Sequence, residues 1–233
     1  MSHQAARHEL GKTNDSKDHA MASSRRETSP IETATPGRRI YLAGASGVIG
    51  SRLVPLLVDA GYTVGAMTRS SEKAARLASL GAEPIVCDVF DRGALTTAVR
   101  SFSPDLVLHE LTDLPDAVED LPKAGLLNAR IRVEGTRNLI DAMDGLDEPK
   151  IKIVAQSIAW TPDPGPGADA VTSLERAVLA ANGVVLRYGA FYGPGTYYEG
   201  ELPPAPRVHI DTAAARTLEA LDAPSGILTV VDE

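Results

Sequence analysis

The sequence predicts an α/β fold built on a doubly wound, Rossmann-like parallel sheet of about seven strands. From Arg39 onward, short aliphatic or β-branched runs alternate with longer amphipathic segments, which is the pattern of repeated βαβ units. The short runs are almost wholly apolar, as expected for strands that helices cover on both faces. The predicted strands are Ile40–Ala43, Thr63–Met67, Pro84–Cys87, Leu106–His109, Ile151–Ala155, Val184–Arg187 and Ile227–Val231.

The first 38 residues differ from the rest of the chain. Among the types Val, Ile, Leu, Phe, Trp and Tyr they contain only Leu10 and Ile31, amid Ser, Thr, His and mixed charges. Such a segment lacks the apolar surface that must offset the entropy of folding. We therefore predict a disordered tail at 1–38 and one folded domain at 39–233, in line with a total length of 233 residues.

Charge and cysteine content restrict the partners. The net charge of −8 opposes non-specific attraction to nucleic acid and to anionic membranes, so a small-molecule substrate is the expected partner. The single cysteine, Cys87, cannot form an internal disulfide, and no Cys/His cluster has metal-ligand spacing, so no metal site is predicted. No apolar run is long enough to span a bilayer or to act as a secretory signal, which predicts a cytoplasmic location.

A glycine-rich turn follows the first predicted strand and opens the first helix. In such a turn Gly44 permits the tight bend, Gly47 lets the backbone approach a pyrophosphate, and Gly50 lets helix and strand pack closely. The phosphate then lies at the positive end of the helix dipole. A purely structural turn is the alternative. The predicted pyrophosphate-binding residues are Gly44, Ser46, Gly47, Val48, Ile49 and Gly50.

The ends of the next two strands carry the predicted adenosine contacts. Arg69 stands where an acidic residue would accept a hydrogen bond from the ribose 2′-hydroxyl of NAD. A cation there favours the 2′-phosphate of NADP, so NADP is the preferred cofactor and NAD the second. The alternative for Arg69 is a solvated side chain. Asp88, followed by Val89, ends the third strand and is expected either to accept from the adenine amino group or to serve as a turn residue.

Several further motifs resemble one family when they are taken together. They are Gly44, Gly47 and Gly50, Asp88, Gly135–Leu139, Ala155–Ser157, Leu186–Tyr188, Phe191–Gly195 and Val208–Asp211. With them the chain from Arg39 to Glu233 resembles the extended and atypical short-chain dehydrogenase/reductases, specifically the NAD-dependent epimerase/dehydratase-like group. The resemblance implies an NAD(P)-binding Rossmann domain at 39–233 and oxidoreductase-like chemistry.

The sequence departs from that family at the catalytic centre. The family's chemistry uses a tyrosine as general acid/base, a lysine four residues later, and a serine that Ser157 matches. However, the chain has no Tyr between Tyr62 and Tyr188 and no Lys after Lys152, so a YxxxK pair cannot follow Ser157. Standard tyrosine-lysine catalysis is therefore not expected. By the same resemblance Tyr192 lies in the loop that faces the nicotinamide, and it joins Ser157 as a candidate catalytic residue.

The segment after Ser157 is predicted to be irregular. Thr161–Gly167 is rich in Pro and Gly and is expected to form a loop, and Thr172–Glu175 has the pattern of a capping box that starts a short helix. Only 45 residues follow Tyr188, which predicts a reduced C-terminal substrate region.

Two functions remain open at this point. One is an oxidoreductase-like enzyme of the epimerase/dehydratase group that uses a displaced acid/base such as Tyr192. The other is a catalytically inactive NADP-binding sensor or partner-binding module. Family members pair through helices that correspond to Pro122–Asp144 and Thr172–Ala181, so a homodimer is one expectation.

Overall fold

The computed structural model describes residues 37–115, 120–144, 146 and 151–232. The predicted tail at 1–38 lies outside this part of the chain apart from its last two residues. The strands are β1 (Arg39–Ala43), β2 (Thr63–Thr68), β3 (Glu83–Val86), β4 (Leu106–His109), β5 (Lys152–Ile158), β6 (Val184–Tyr188), β7 (Ala190–Tyr192), β8 (Arg207–His209) and β9 (Gly226–Val230). The helices are α1 (Gly50–Asp59), α2 (Ser71–Ser79), α3 (Arg92–Phe102), α4 (Leu121–Arg130), α5 (Thr136–Met143), α6 (Pro166–Ala180) and α7 (Ile210–Ala220), with a π-helical turn at Ile131–Gly135 between α4 and α5.

Seven strands form one parallel sheet in the order β3-β2-β1-β4-β5-β6-β9. This confirms the predicted fold class, and each predicted strand overlaps one strand of the sheet. The order reverses between β1 and β4. The carboxyl ends of these two strands therefore flank a topological switch point, which is where open α/β sheets bind their ligands.

The strand sequences are apolar because both faces of the sheet are covered. In β1, Ile40 and Leu42 pack into the cluster that contains Leu53 of α1, whereas Tyr41 and Ala43 pack into the cluster on the opposite face. These four of the five β1 residues are completely buried. Side chains of a strand alternate between faces, so burial on both faces requires an unbroken apolar run.

Two short strands were not predicted. β7 and β8 form a separate parallel pair, with Ala190 opposite Arg207 and Tyr192 opposite His209. Three residues are too few to show a period in sequence. This pair holds the chain segment after β6 at the carboxyl edge of the main sheet, because Gly189 donates its N–H to the Val230 carbonyl of β9.

The predicted capping box at Thr172–Glu175 is wrong. α6 begins at Pro166, where a proline at the first helical position leaves no donor unsatisfied, and the helix continues to Ala180. Thr172 lies inside this helix and donates its hydroxyl to the Ala168 carbonyl. The irregular loop is correspondingly shorter than predicted, since its last two residues belong to α6.

The described helices include none that is long and apolar enough to cross a membrane.

On α4, Leu126 and Leu127 are 74% and 53% exposed, so this helix presents an apolar surface. The homodimer expected through this region stays a prediction.

Candidate functional site

The glycine turn leaves no room for side chains at two of its three glycines. Gly44 has φ +94°, and a Cβ there would lie 2.6 Å from the backbone carbonyl carbon of Glu110, the residue after β4. A Cβ on Gly50 would overlap the carbonyl oxygen of Gly44. Gly47 closes the turn by donating its N–H to that same oxygen at 3.0 Å. The turn therefore brings bare backbone to the switch point, as binding of a pyrophosphate requires.

The start of α1 suits an anion. Ile49 occupies the N-cap position without a side-chain hydrogen bond, and the first turn holds no acidic residue. The partial positive charge of the helix N-terminus is thus not offset by protein carboxylates of that turn. Backbone and dipole together fit a dinucleotide pyrophosphate, and the predicted residues from Gly44 to Gly50 all lie here.

Ser46 connects the glycine turn with the end of β2. Its hydroxyl lies 3.1 Å from the Thr68 hydroxyl, and the same Thr68 oxygen accepts the backbone N–H of Ser70 at 3.2 Å. The chain between them carries Arg69. This places Arg69, the predicted ligand of the 2′-phosphate, beside the glycine turn.

Arg69 forms an ion pair that the sequence did not predict. Its guanidinium donates to the carboxylate of Asp113 at 3.0 Å, and the two side chains are 53% and 25% exposed. Arg69 follows β2 and Asp113 lies beyond β4, while β1 lies between these strands in the sheet. The ion pair therefore extends across the glycine turn that follows β1.

Asp88 and Val89 lie just after β3, which ends at Val86, slightly earlier than predicted. The Asp88 carboxylate accepts the backbone N–H of Phe90 at 2.9 Å, so Asp88 does act as a turn residue. Val89 is buried, and its carbonyl accepts the side-chain amide of Asn138 at 2.9 Å. The adenine contact of Asp88 stays a prediction.

Ser157 belongs to a buried polar cluster that the sequence did not reveal. At the end of β5 its hydroxyl donates to Glu175 Oε1 at 2.6 Å. Glu175 also accepts from Arg187, whose Nε and Nη2 lie 2.9 and 2.6 Å from the two carboxylate oxygens. The Arg187 hydrogen bonds lower the pKa of Glu175, so this carboxylate is a weak base. The signal for the cluster was a glutamate on the otherwise apolar face of α6.

The candidate Tyr192 and the nearby Tyr188 both form hydrogen bonds through their hydroxyls. Tyr192 donates its hydroxyl to Asp232 at 2.6 Å, and this hydrogen bond raises the pKa of the phenol. Tyr188 is buried, with its hydroxyl 2.5 Å from that of Thr217, and burial raises its pKa well above the usual value. A phenol with a raised pKa is a poor general base near neutral pH. Tyr192 therefore stays a candidate catalytic residue without a feature that activates it.

His109 ends β4 and is fully buried. Its Nε2 lies 3.0 Å from the Thr136 hydroxyl, and its Nδ1 accepts the Leu111 N–H at 3.3 Å. Burial, with the positive charge of Arg132 added, lowers the pKa of His109 to about 4. The imidazole is therefore neutral near pH 7, and its contacts are structural.

Glu110 is a buried carboxyl at the switch point. Its Oε1 accepts from the Tyr188 hydroxyl at 3.2 Å, while its Oε2 has no hydrogen-bond partner among the described residues. Burial raises the pKa of Glu110 to about 8. The folded protein therefore holds this side chain in its neutral form at neutral pH. No pattern in the sequence distinguished Glu110 from other strand-end residues.

The strand order and the glycine turn together define a Rossmann-type dinucleotide-binding protein. Comparison with known proteins narrows the class. Residues 40–173 match the model of the NAD dependent epimerase/dehydratase family. The chain is also 34% identical over 237 aligned positions to a 3-diazoavenalumate denitrifying reductase from Streptomyces sp, with 84% of this chain and 76% of that protein covered. The chain therefore belongs to the NAD-dependent epimerase/dehydratase family, and it is an NAD(P)-binding, oxidoreductase-like protein.

Solved structures agree with this fold. The UDP-glucose 4-epimerase of Thermus thermophilus, in complex with NAD, superimposes with a TM-score of 0.67 at 22% identity, over 83% of this chain and 77% of that one. The Bordetella bronchiseptica enzyme WbmG, also with NAD, gives 0.65 at 20% identity, over 87% and 74%. The alignment with the Streptomyces protein is longer than this chain, so that relative contains segments that this chain lacks.

The buried carboxyl of Glu110 generates a prediction on stability. The unfolded chain ionises Glu110 above its ordinary pKa of 4.5, whereas the folded chain holds the proton up to about pH 8. Between these values the folded state binds more protons, so this residue makes folding less favourable as the pH rises. We expect the stability of Glu110→Gln relative to the parent protein to increase by up to about 1.4 kcal/mol per pH unit in that window.

Urea unfolding of both proteins at several pH values between 5 and 8 measures this difference. Glu72→Gln, at an exposed position in α2, is the matched control for the loss of one carboxylate. A difference for Glu110→Gln that stays constant across this pH range would mean that Glu110 is ionised in the folded protein.

Proposed function

We propose that this chain is an NADPH-dependent reductase that reduces a small electrophilic substrate without a side-chain proton donor. One observation carries the proposal. The backbone site for the dinucleotide is intact, whereas the hydroxyl of Ser157 already donates its proton to Glu175. The chain thus keeps the backbone that would bind the cofactor, while the Ser157 hydroxyl is already hydrogen-bonded within the protein.

The missing acid/base pair limits the substrates. The sequence has no Tyr from Thr63 through Arg187 and no Lys from Ile153 through Glu233. Reduction of a carbonyl needs a proton for the developing alkoxide, and a positioned acid accelerates that step by about 10²–10⁴. Ketones and sugar nucleotides are therefore expected to be poor substrates.

An arene diazonium group meets the requirement for a substrate whose reduction needs no proton. The Streptomyces relative is named as a denitrifying reductase of a diazo compound. When bound, the reduced nicotinamide supplies a hydride. An arene diazonium cation that accepts a hydride at its terminal nitrogen forms a neutral aryl diazene, which loses N₂ while the same hydrogen passes to the ring carbon. Atoms and charge balance without a proton from the protein, so we propose an arene diazonium compound as the substrate class.

The chain's own residues then act by binding and orientation. Gly44 and Gly47 admit the pyrophosphate to the start of α1, and Arg69 holds the 2′-phosphate that distinguishes NADP from NAD. Ser157 presents an oxygen whose proton is committed to Glu175, so it accepts a hydrogen bond from a substrate donor. Arg187 fixes Glu175 from the opposite side and so keeps the Ser157 hydroxyl in this orientation.

The preference for NADP is testable through Arg69. A charge-assisted hydrogen bond contributes about 1.5–3 kcal/mol, and partial exposure of the guanidinium reduces this value. We expect Arg69→Ala to weaken NADP binding by about tenfold while NAD binding changes little. Titration calorimetry at low salt measures both constants, with Arg76→Ala on the exposed surface of α2 as the control. Equal affinities of the parent protein for the two cofactors would contradict the assignment.

Turnover distinguishes the reductase from the other function that the sequence left open. We expect NADPH oxidation and N₂ release with an arene diazonium salt at a rate well above that without protein. Reduction of a simple ketone should be at least about a hundredfold slower than in a relative with the tyrosine-lysine pair. Gly47→Val is the control, because blocking the pyrophosphate site should abolish the diazonium reaction.

Ser157→Ala completes the experiment. With an arene diazonium salt that carries no hydrogen-bond donor, it should change the reaction little, because Ser157 supplies no proton and such a substrate donates no hydrogen bond to it. Ketone reduction that collapses in Ser157→Ala would show that ordinary serine-assisted chemistry survives and would contradict the proposal. Tight NADPH binding without turnover of either substrate would instead support a catalytically inactive sensor or partner-binding module.

A further inference from the structure

We propose that Asp113 is a specificity-determining residue that limits the preference for NADP by competing with the cofactor's 2′-phosphate for Arg69. The inference rests on the proposed role of Arg69 and assigns a second residue to the same site. It starts from the ion pair of 3.0 Å that crosses the glycine turn.

The position of the pair places it at the ribose. The end of β2 is where Rossmann proteins contact the 2′-position of the adenosine ribose, and Arg69 is the first residue after β2. Asp113 approaches from the far side of β1, on the segment that follows β4. A dinucleotide that lies over the glycine turn therefore meets the guanidinium of Arg69 and the carboxylate of Asp113 together.

Asp113 is the more firmly held partner. Its backbone N–H donates to the side-chain oxygen of Asn128, a buried residue of α4. The same segment is fixed at Leu111, whose carbonyl accepts from Gln156, and at Pro115, whose carbonyl accepts from the Tyr197 hydroxyl. Arg69 is about half exposed. When the 2′-phosphate of NADP binds, the Arg69 guanidinium is therefore expected to reorient while Asp113 stays in place.

The competition follows from the charges. An exposed ion pair is worth little, so a phosphate that makes charge-assisted hydrogen bonds can displace Asp113 from Arg69. The displaced carboxylate remains near the ribose, where it repels the phosphate dianion. NAD carries a neutral hydroxyl at this position, so it neither competes with Asp113 for Arg69 nor is repelled by the Asp113 carboxylate. Asp113 thus weakens NADP binding selectively.

The test uses four proteins in a cycle: the parent, Asp113→Asn, Arg69→Ala and the double variant. Calorimetry with NADP and with NAD at low salt gives the dissociation constants. We expect Asp113→Asn to tighten NADP binding by about three- to fivefold and to leave NAD binding nearly unchanged. In the Arg69→Ala background the gain should shrink, because the guanidinium that Asp113 occupies is absent. Raising the salt concentration should reduce the gain as well.

Asp222→Asn is the matched control. Asp222 pairs with Arg38 at 2.5 Å before the start of β1, at the opposite edge of the sheet, so the substitution removes the same charge from a similar pair. Its NADP affinity should equal that of the parent.

The outcomes separate the two claims. If Arg69→Ala leaves the NADP to NAD ratio unaltered, the proposed role of Arg69 fails. If Arg69→Ala lowers this ratio while Asp113→Asn leaves NADP affinity unchanged or weakens it, the competition by Asp113 is overturned and the role of Arg69 stands.

Discussion

The close contact between the glycine turn and the residue after β4 is the constraint on which the site depends. Gly44 lies so near the backbone of Glu110 that a single methyl group would separate the two strand ends. Position 44 therefore needs a residue that has no side chain and that readily adopts a positive φ, and glycine meets both requirements. This contact brings the segment after β4, with Glu110 and Asp113, beside the glycine turn.

The same edge of the sheet carries the polar cluster of Ser157, Glu175 and Arg187 on which the proposed chemistry rests. The serine of β5 is present, but its proton is directed to Glu175, whose charge is stabilised by Arg187. Glu175 is buried whereas Arg187 is partly exposed, and both carboxylate oxygens of Glu175 accept hydrogen bonds from Arg187. The cluster therefore favours a fixed orientation of the Ser157 hydroxyl over proton transfer. The proposed arene diazonium substrate would be compatible with such a cluster, because its hydride adduct is already neutral.

The sequence was sufficient for the fold and for the backbone part of the site. Apolar runs predicted every strand of the main sheet because both of its faces are buried, and the glycine spacing predicted the turn because its geometry is local. The polar contacts were not predictable. Arg69 and Asp113 are 44 residues apart in the chain, and Ser157, Glu175 and Arg187 come from three different elements. Both contacts depend on the order of the strands in the sheet. The Ser157 cluster also depends on where α6 begins, and the capping-box pattern at Thr172 predicted a later start.

The central claim is that reduction proceeds without a proton from the protein. Kinetic isotope effects test it most directly, with an arene diazonium salt as the substrate. NADPH deuterated at the transferred position should slow turnover, while D₂O should leave the rate unchanged, since no solvent-derived proton moves in the same step. A large solvent isotope effect, together with a pH profile that follows one titrating side chain, would contradict the account.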